Sequence, residues 1–245
     1  MTNLMSFISG HNEELVRLIL EHHELNVNLR GMDGYTALIR ACADRPDFVR
    51  LILAVRPDVD VNLATYYGTT ALTCAIRCGN EEAVQYLLMR GDIDLNYQSR
   101  HCENALLEAL AYRRDAIARA LIVRGDVSVD VLDGKDRTPL ILSVQYGYLP
   151  LVRMLLFDAC ADVSAEDEYG NNALYYALKR GANTMVHDIV EVMSVPQPLT
   201  RICRTVIRRV IRSNLGYGHR LKPQIDRFPK HELPTMLRKF LAYDP

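Results

Sequence analysis

A period of 34 residues constrains this chain more than any other feature. The triplets Thr36-Ala37-Leu38, Thr70-Ala71-Leu72, Asn104-Ala105-Leu106, Thr138-Pro139-Leu140 and Asn172-Ala173-Leu174 follow one another at that spacing. A small residue stands three places after each Leu: Ala41, Ala75, Ala109, Ser143 and Ala177. Leu53, Leu87, Leu121, Leu155 and Ile189 keep the same step, as do Val61-Asn62, Leu95-Asn96, Val129-Asp130 and Val163-Ser164. One step back lie Ile19 and Val27-Asn28, so the chain opens inside a shortened first unit. Six units therefore fill roughly residues 1–194. A fixed period of this length implies stacked supersecondary units, each unable to bury its own apolar face alone.

Each unit reads as helix, turn, helix, extended turn. A short first helix carries the small residues where a neighbour must approach closely. Breaks follow at Gly79, Gly147 and Gly181. The second helix has apolar residues at helical spacing, as in Leu15, Leu18 and Ile19, or Leu151, Met154 and Leu155. A brief β-like piece such as Asp60-Val61-Asn62 then leads to a turn containing Gly34, Gly68 or Gly170. A period of 34 also suits tetratricopeptide units. The opening T-[AP]-L-x-x-A, the Gly two residues before Thr, the V-N turn and the absence of Trp resemble ankyrin repeats instead. The usual His after T-P-L is replaced by Ile39, Thr73, Leu107, Ile141 and Tyr175, and the fourth unit, at His101-Cys102-Glu103-Asn104, matches least well. The resemblance implies an all-α solenoid whose first helices and turn tips form a recognition surface. Met32, Tyr66, Tyr67, Arg100, His101, Lys135 and Tyr169 are the expected target-binding residues, because exposed aromatics and mixed charge suit protein recognition.

Charge divides the chain. From Pro196 onward there are 11 Lys+Arg and 3 Asp+Glu, a balance of +8; the total of −1 leaves −9 for the first 195 residues. An acidic body with a basic tail predicts two separate tasks. No apolar run approaches the ~18 residues of a membrane span, and the start, MTNLMSFISGHNEEL, lacks the pattern of a signal peptide. The cysteines at 42, 74, 78, 102, 160 and 203 show no paired C-x-x-C spacing. They are expected to be free thiols in a reducing compartment, the cytoplasm first and the nucleus second. The pair Cys74 and Cys78, one helical turn apart, lacks His or Cys partners for a metal and reads as core.

Residues 195–245 form a second domain in this reading, set off by the hinge Val195-Pro196-Gln197-Pro198. Leu199, Cys203 and Ile207 share one face of an expected helix. Ile202, Val206 and Val210 make a second apolar row, and Arg201, Arg204, Arg208, Arg209 and Arg212 fill most of the remainder. Leu199-x-x-x-Cys203-x-x-x-Ile207 resembles the elongin C-binding pattern that opens a SOCS box. Leu233-Pro234-x-x-Leu237-Arg238-Lys239-Phe240-Leu241 is similar to the cullin-binding end of that box, with its usual doubled Leu-Pro present once and Phe228-Pro229 upstream. Together with the repeats, the tail resembles the ankyrin repeat and SOCS box family. That resemblance implies a solenoid followed by a small helical SOCS box. Leu199, Cys203 and Ile207 would bind elongin C with elongin B. Leu233, Pro234, Leu237 and Phe240 would bind cullin-5 with its RING subunit.

The implied function is substrate recognition for a ubiquitin ligase, without catalysis on this chain and without a cofactor or metal. No HExxH, GxSxG, phosphate loop or GxGxxG occurs. Three other readings stand beside it. The tail caps the exposed end of the solenoid; its arginines bind nucleic acid, which the interleaved apolar rows disfavour; or the box binds elongins without assembling a ligase.

Overall fold

The computed structural model describes residue 8 and residues 13–22, 24–99 and 103–194. The whole expected tail domain, with Leu199, Cys203, Ile207, Leu233, Pro234, Leu237 and Phe240, lies outside the described residues, as do His23, Arg100, His101 and Cys102. Among the described residues the regular elements are helices, with isolated β-bridges at Ala64–Thr70 and Glu166–Asn172 in place of strands. None of these helices is long and apolar enough to cross a membrane.

The chain divides into two compact units, Met1–Ile117 and Ala118–Pro245, the division falling within one helix. Unit one contains α1 (Glu13–Glu21), α2 (Ala37–Asp44), α3 (Pro46–Val55), α4 (Ala71–Cys78), α5 (Glu81–Leu88), α6 (Ala105–Ala111) and the start of α7 (Asp115–Arg124). First helices α2, α4 and α6 pack in one row, second helices α1, α3 and α5 in another. Unit two holds α8 (Pro139–Tyr146), α9 (Leu149–Arg153), which runs on into a π-helical turn at Met154–Asp158, α10 (Ala173–Arg180) and α11 (Asn183–Met193). There α8 packs on α10 and α9 on α11.

The periodic triplets start the first helices. Thr36, Thr70, Asn104, Thr138 and Asn172 are N-caps, each side chain accepting the backbone N–H three residues on, at 3.0–3.3 Å. The small residues Ala41, Ala75, Ala109, Ser143 and Ala177 are fully buried. A larger side chain there would hold neighbouring first helices apart. Gly79, Gly147 and Gly181 end α4, α8 and α10 in the left-handed region.

Two expectations about the second helices need correction. In α1 the buried face is Val16 and Leu20, while Leu18 is 65% exposed, because the apolar row of α1 is set one residue later. In the second repeat a single residue, Arg45, separates α2 from α3, where the third repeat uses Gly79-Asn80. Helix α3 thus begins one position early in the period and Ile52, rather than Leu53, is fully buried.

The repeats are joined by a side-chain ladder that the sequence reading did not recognise. Asn28 donates from Nδ2 to the carbonyl of Asp58 (3.1 Å) and accepts from the N–H of Asp60 (2.9 Å). Asn62 does the same with Asp92 and Asp94 (2.7 and 2.8 Å), and Asp130 accepts from the N–H of Asp162 (2.8 Å). Alongside runs an R-x-D series. Arg56 grips Asp58 with two N–H groups (2.8 and 2.7 Å) and donates to the Leu25 carbonyl at a helix-end turn (2.8 Å). Arg90 pairs likewise with Asp92. The recurrence of Arg56, Arg90 and Arg124 at the repeat period was the available signal.

Candidate protein-recognition surface

The tips opened by Thr65, Asp133 and Asp167 share one hydrogen-bonding motif, while the Met32 tip, with Gly31 at the equivalent position, closes by the Gly31 N–H donating to the Tyr35 carbonyl (2.8 Å). In unit one, Thr65 accepts on Oγ1 from the N–H groups of Tyr67 (3.3 Å) and Thr69 (3.1 Å), while its own N–H donates to the Thr69 carbonyl (2.9 Å). In unit two, Asp133 accepts on Oδ1 from Lys135 and Arg137 N–H (both 2.9 Å), and Asp167 from Tyr169 (3.0 Å) and Asn171 (2.9 Å). Asp and Thr favour such turns because a short side chain can satisfy backbone N–H groups two residues on. Thr65, Ser99, Asp133 and Asp167 stand one period apart, a signal present in the sequence but hidden by the change of residue type.

These turns hold the expected contact residues outward. Met32, Tyr66 and Tyr67 are exposed in unit one, and Lys135 and Tyr169 in unit two. Successive tips are linked: Tyr66 N–H donates to the Asp33 carbonyl (3.0 Å), and Glu168 N–H to the Lys135 carbonyl (3.2 Å). Gly34 is required at the first junction. It has φ +80°, and a Cβ there would lie 2.8 Å from the backbone nitrogen of Tyr66. Each unit therefore presents its aromatic tips from a fixed backbone, which lowers the ordering cost of binding.

Charge on the first-helix side is anchored. Glu108 on α6 is fully buried and paired with Arg77 on α4, whose Nε lies 3.2 Å from Oε2. The same guanidinium reaches Thr69 (3.4 Å) and lies 6.0 Å from the Tyr112 ring centroid. In unit two Arg137 pairs with Asp133 (2.6 Å) and donates to Gln145 (3.2 Å), and Arg180 donates to the Gln145 carbonyl (2.9 Å). Burial pushes the Asp133 carboxyl up, but the Arg137 side chain and the backbone N–H groups of Arg137 and Lys135 outweigh it and hold it below the ordinary carboxylate range.

Cys42 and Cys74 are not placed for nucleophilic chemistry. Cys42 and Cys74 are buried and Cys78, expected in the core, is exposed at the end of α4. Burial, then the neighbouring Cys74 and Cys78, pushes the Cys42 thiol well up. Burial and then Cys78 push Cys74 up to about 12. Thiols so placed are poor nucleophiles and poor metal ligands near neutral pH. Among the described residues no group of three or more His, Cys, Asp or Glu side chains is arranged to hold a metal ion.

Capped helix pairs repeating every 34 residues, joined by projecting turns, have a clear counterpart among known families. A family model for ankyrin repeats (three copies) matches residues 4–99 and 106–194. The chain belongs to the ankyrin repeat family. No curated protein matches it in sequence. Among solved structures it is similar to the crystal structure of EF0377, an ankyrin repeat protein. The TM-score is 0.66 at 24% identity, over 76% of this chain and 95% of that one. It is also similar to the ankyrin repeat domain of Bcl-3, described as a unique member of the IκB protein family. Here the TM-score is 0.64 at 26% identity, over 76% and 80% of the two chains. An ankyrin stack is a protein–protein interaction scaffold, and the tips of this ankyrin protein carry aromatic side chains of the kind that anchor such interfaces.

Proposed function

We propose that this ankyrin protein is the substrate-binding subunit of an elongin B/C–cullin-RING ubiquitin ligase. Its repeats hold the target, and residues 195–245 recruit the ligase. The observation that carries this reading is the spacing Leu199, Cys203, Ile207, which begins six residues after the last repeat helix ends at Met193, with Leu233-Pro234-x-x-Leu237 following in the same tail. Leu199 and Cys203 are compact apolar groups one helical turn apart, suited to a pocket on elongin C. Leu233, Pro234, Leu237 and Phe240 would engage cullin-5. Met32, Tyr66, Tyr67, Lys135 and Tyr169, with Arg100 and His101, would contact the target. The gain is proximity: target and ubiquitin-conjugating machinery on one scaffold react as though at high local concentration. This chain supplies no covalent step.

Capture on immobilised elongin B–elongin C tests the reading. The intact chain should bind, and Leu199→Ala/Cys203→Ala should lose at least about tenfold in affinity, since each buried apolar group contributes on the order of 1–2 kcal/mol. Leu233→Ala/Leu237→Ala should retain elongin capture and lose cullin-5. No capture by the intact chain would sink the proposal. The tail's charge of +8 would then favour nucleic acid as the ligand, recognisable by affinity that falls steeply with salt.

A further inference from the structure

The first helices of unit two carry positive charge and no acid. Neither α8, PLILSVQY, nor α10, ALYYALKR, contains Asp or Glu, and α10 ends on Lys179 and Arg180. The turn acids Asp133 and Asp167 are buried and already engaged, the first by Arg137 and the second by the Tyr176 hydroxyl. Lys179 and Arg180 are exposed, and among the described residues neither is paired with a carboxylate. The Arg180 guanidinium is nonetheless fixed. It donates to the Gln145 carbonyl (2.9 Å) and lies against Gly147, where an added Cβ would overlap it. A guanidinium has more N–H donors than one carbonyl can use, so several remain for a ligand. Lys179 Nζ stands 5.8 Å from the centroid of the exposed Tyr175 ring. The half-buried Tyr146 and Tyr148, on either side of Gly147 in the chain, have ring centroids 5.8 Å apart.

An arginine held by the backbone, a lysine next to it and phenol rings near both suit carboxylates. The ordering of Arg180 is completed in folding, so its remaining N–H groups can take a carboxylate at little further cost. The tyrosines add apolar contact and hydroxyl groups. We propose that the first-helix face of unit two takes an acidic segment of the target protein, with carboxylates seated on Arg180 and Lys179 and the Tyr146 and Tyr175 rings beside them. The proposal rests on the reading of the repeats as the part that holds the target, and it adds the chemistry of what they hold. A nucleic acid fits this face less well. Phosphate binding rewards a long track of cations, whereas Asp136 and Glu168 are exposed on the tips of the same unit.

Fluorescein-labelled hexaglutamate is the probe, titrated against the full chain by anisotropy and then coupled with a carbodiimide, which joins a bound carboxylate to a lysine amine as an amide. The peptide should bind, and mass spectrometry should find it coupled to Lys179. Lys179→Gln/Arg180→Gln should weaken binding at least about fivefold, the scale of two exposed ion pairs. Lys179→Gln alone leaves Arg180 on Gly147 and should weaken binding about twofold, an effect that needs no change in fold. Failure of hexaglutamate to bind overturns the proposal. So does an affinity unchanged in the double variant with coupling confined to Lys222, Lys230 and Lys239, which would put the peptide on the basic tail. Hexathymidylate that binds as tightly and loses as much in the double variant would make this a phosphate surface and also overturn it. Elongin capture by the same variants should match the intact chain. Capture without hexaglutamate binding rejects the acidic segment alone, and hexaglutamate binding without capture rejects the ligase reading alone.

Discussion

At the scale of single residues, the most informative group is Asp133. It shapes a turn tip through two backbone N–H groups and pairs with Arg137. Its carboxyl titrates below the ordinary range in the folded chain. A depressed folded value means that the carboxylate's contribution is complete above the unfolded pKa of about 4 and is lost as pH falls through the lower folded value. Asp133→Asn should therefore cost roughly 2 kcal/mol near neutrality, a typical figure for hydrogen bonds to a charged group. The gap between variant and parent should close progressively below about pH 4. Urea denaturation across pH measures it, and a gap that stays constant down the acid limb would assign the cost to packing instead. The sequence made the tips visible through Gly34, Gly68 and Gly170. It did not expose Thr65 and Asp133 as equivalents, since one is a hydroxyl and the other a carboxylate; only their shared acceptor geometry unites them.

At the scale of elements, helix ends carry much of the specification. Gly79, Gly147 and Gly181 take the left-handed conformation after a first helix, at φ of +72°, +82° and +70°. The fourth repeat has Arg113 at that place, at φ +56°. A side chain with a Cβ is strained there by roughly 1–2 kcal/mol, and glycine gives back part of that through the greater freedom of its unfolded state. Arg113→Gly should raise stability by about 0.5–1 kcal/mol, seen as a higher thermal midpoint. A lower midpoint would show that contacts of the Arg113 side chain outweigh the backbone strain. A related displacement occurs after α9. Gly125 is left-handed at the end of the fourth repeat, but in the fifth the left-handed residue is Cys160, one place past the periodic equivalent. The π-helical turn at Met154–Asp158 accommodates that additional residue. Periodicity located the helices; it did not reveal which one would widen.

At the scale of the whole molecule, repeat architecture makes stability a sum of intrinsic and nearest-neighbour contributions. The fully buried Ala75 lies on α4, which packs against both α2 and α6. Ala75→Leu should cost about 1–3 kcal/mol through overpacking. Exchange should speed in α2, α4 and α6, because the added bulk separates neighbours rather than disturbing one helix. A loss confined to α4 would argue against close approach as the reason for a small residue there. The opposed charges of body and tail belong to this scale too, and the basic tail underlies the alternative of a nucleic-acid ligand.

The sequence by itself determined the repeat. A 34-residue period, N-cap residues opening each unit and small residues three places beyond each Leu are local requirements, written wherever a unit recurs. Tertiary structure decided what depends on neighbours. It buried Ile52 in place of Leu53, set Glu108 in the interior against Arg77, and joined repeats through Asn28, Asn62 and Asp130. The exposure of Leu178 follows the same rule: its residue type fits its predecessors' pattern, yet among the described residues no first helix follows to cover it. Burial belongs to a pair of surfaces, so a period read along one strand of text can place a face but cannot say what meets it.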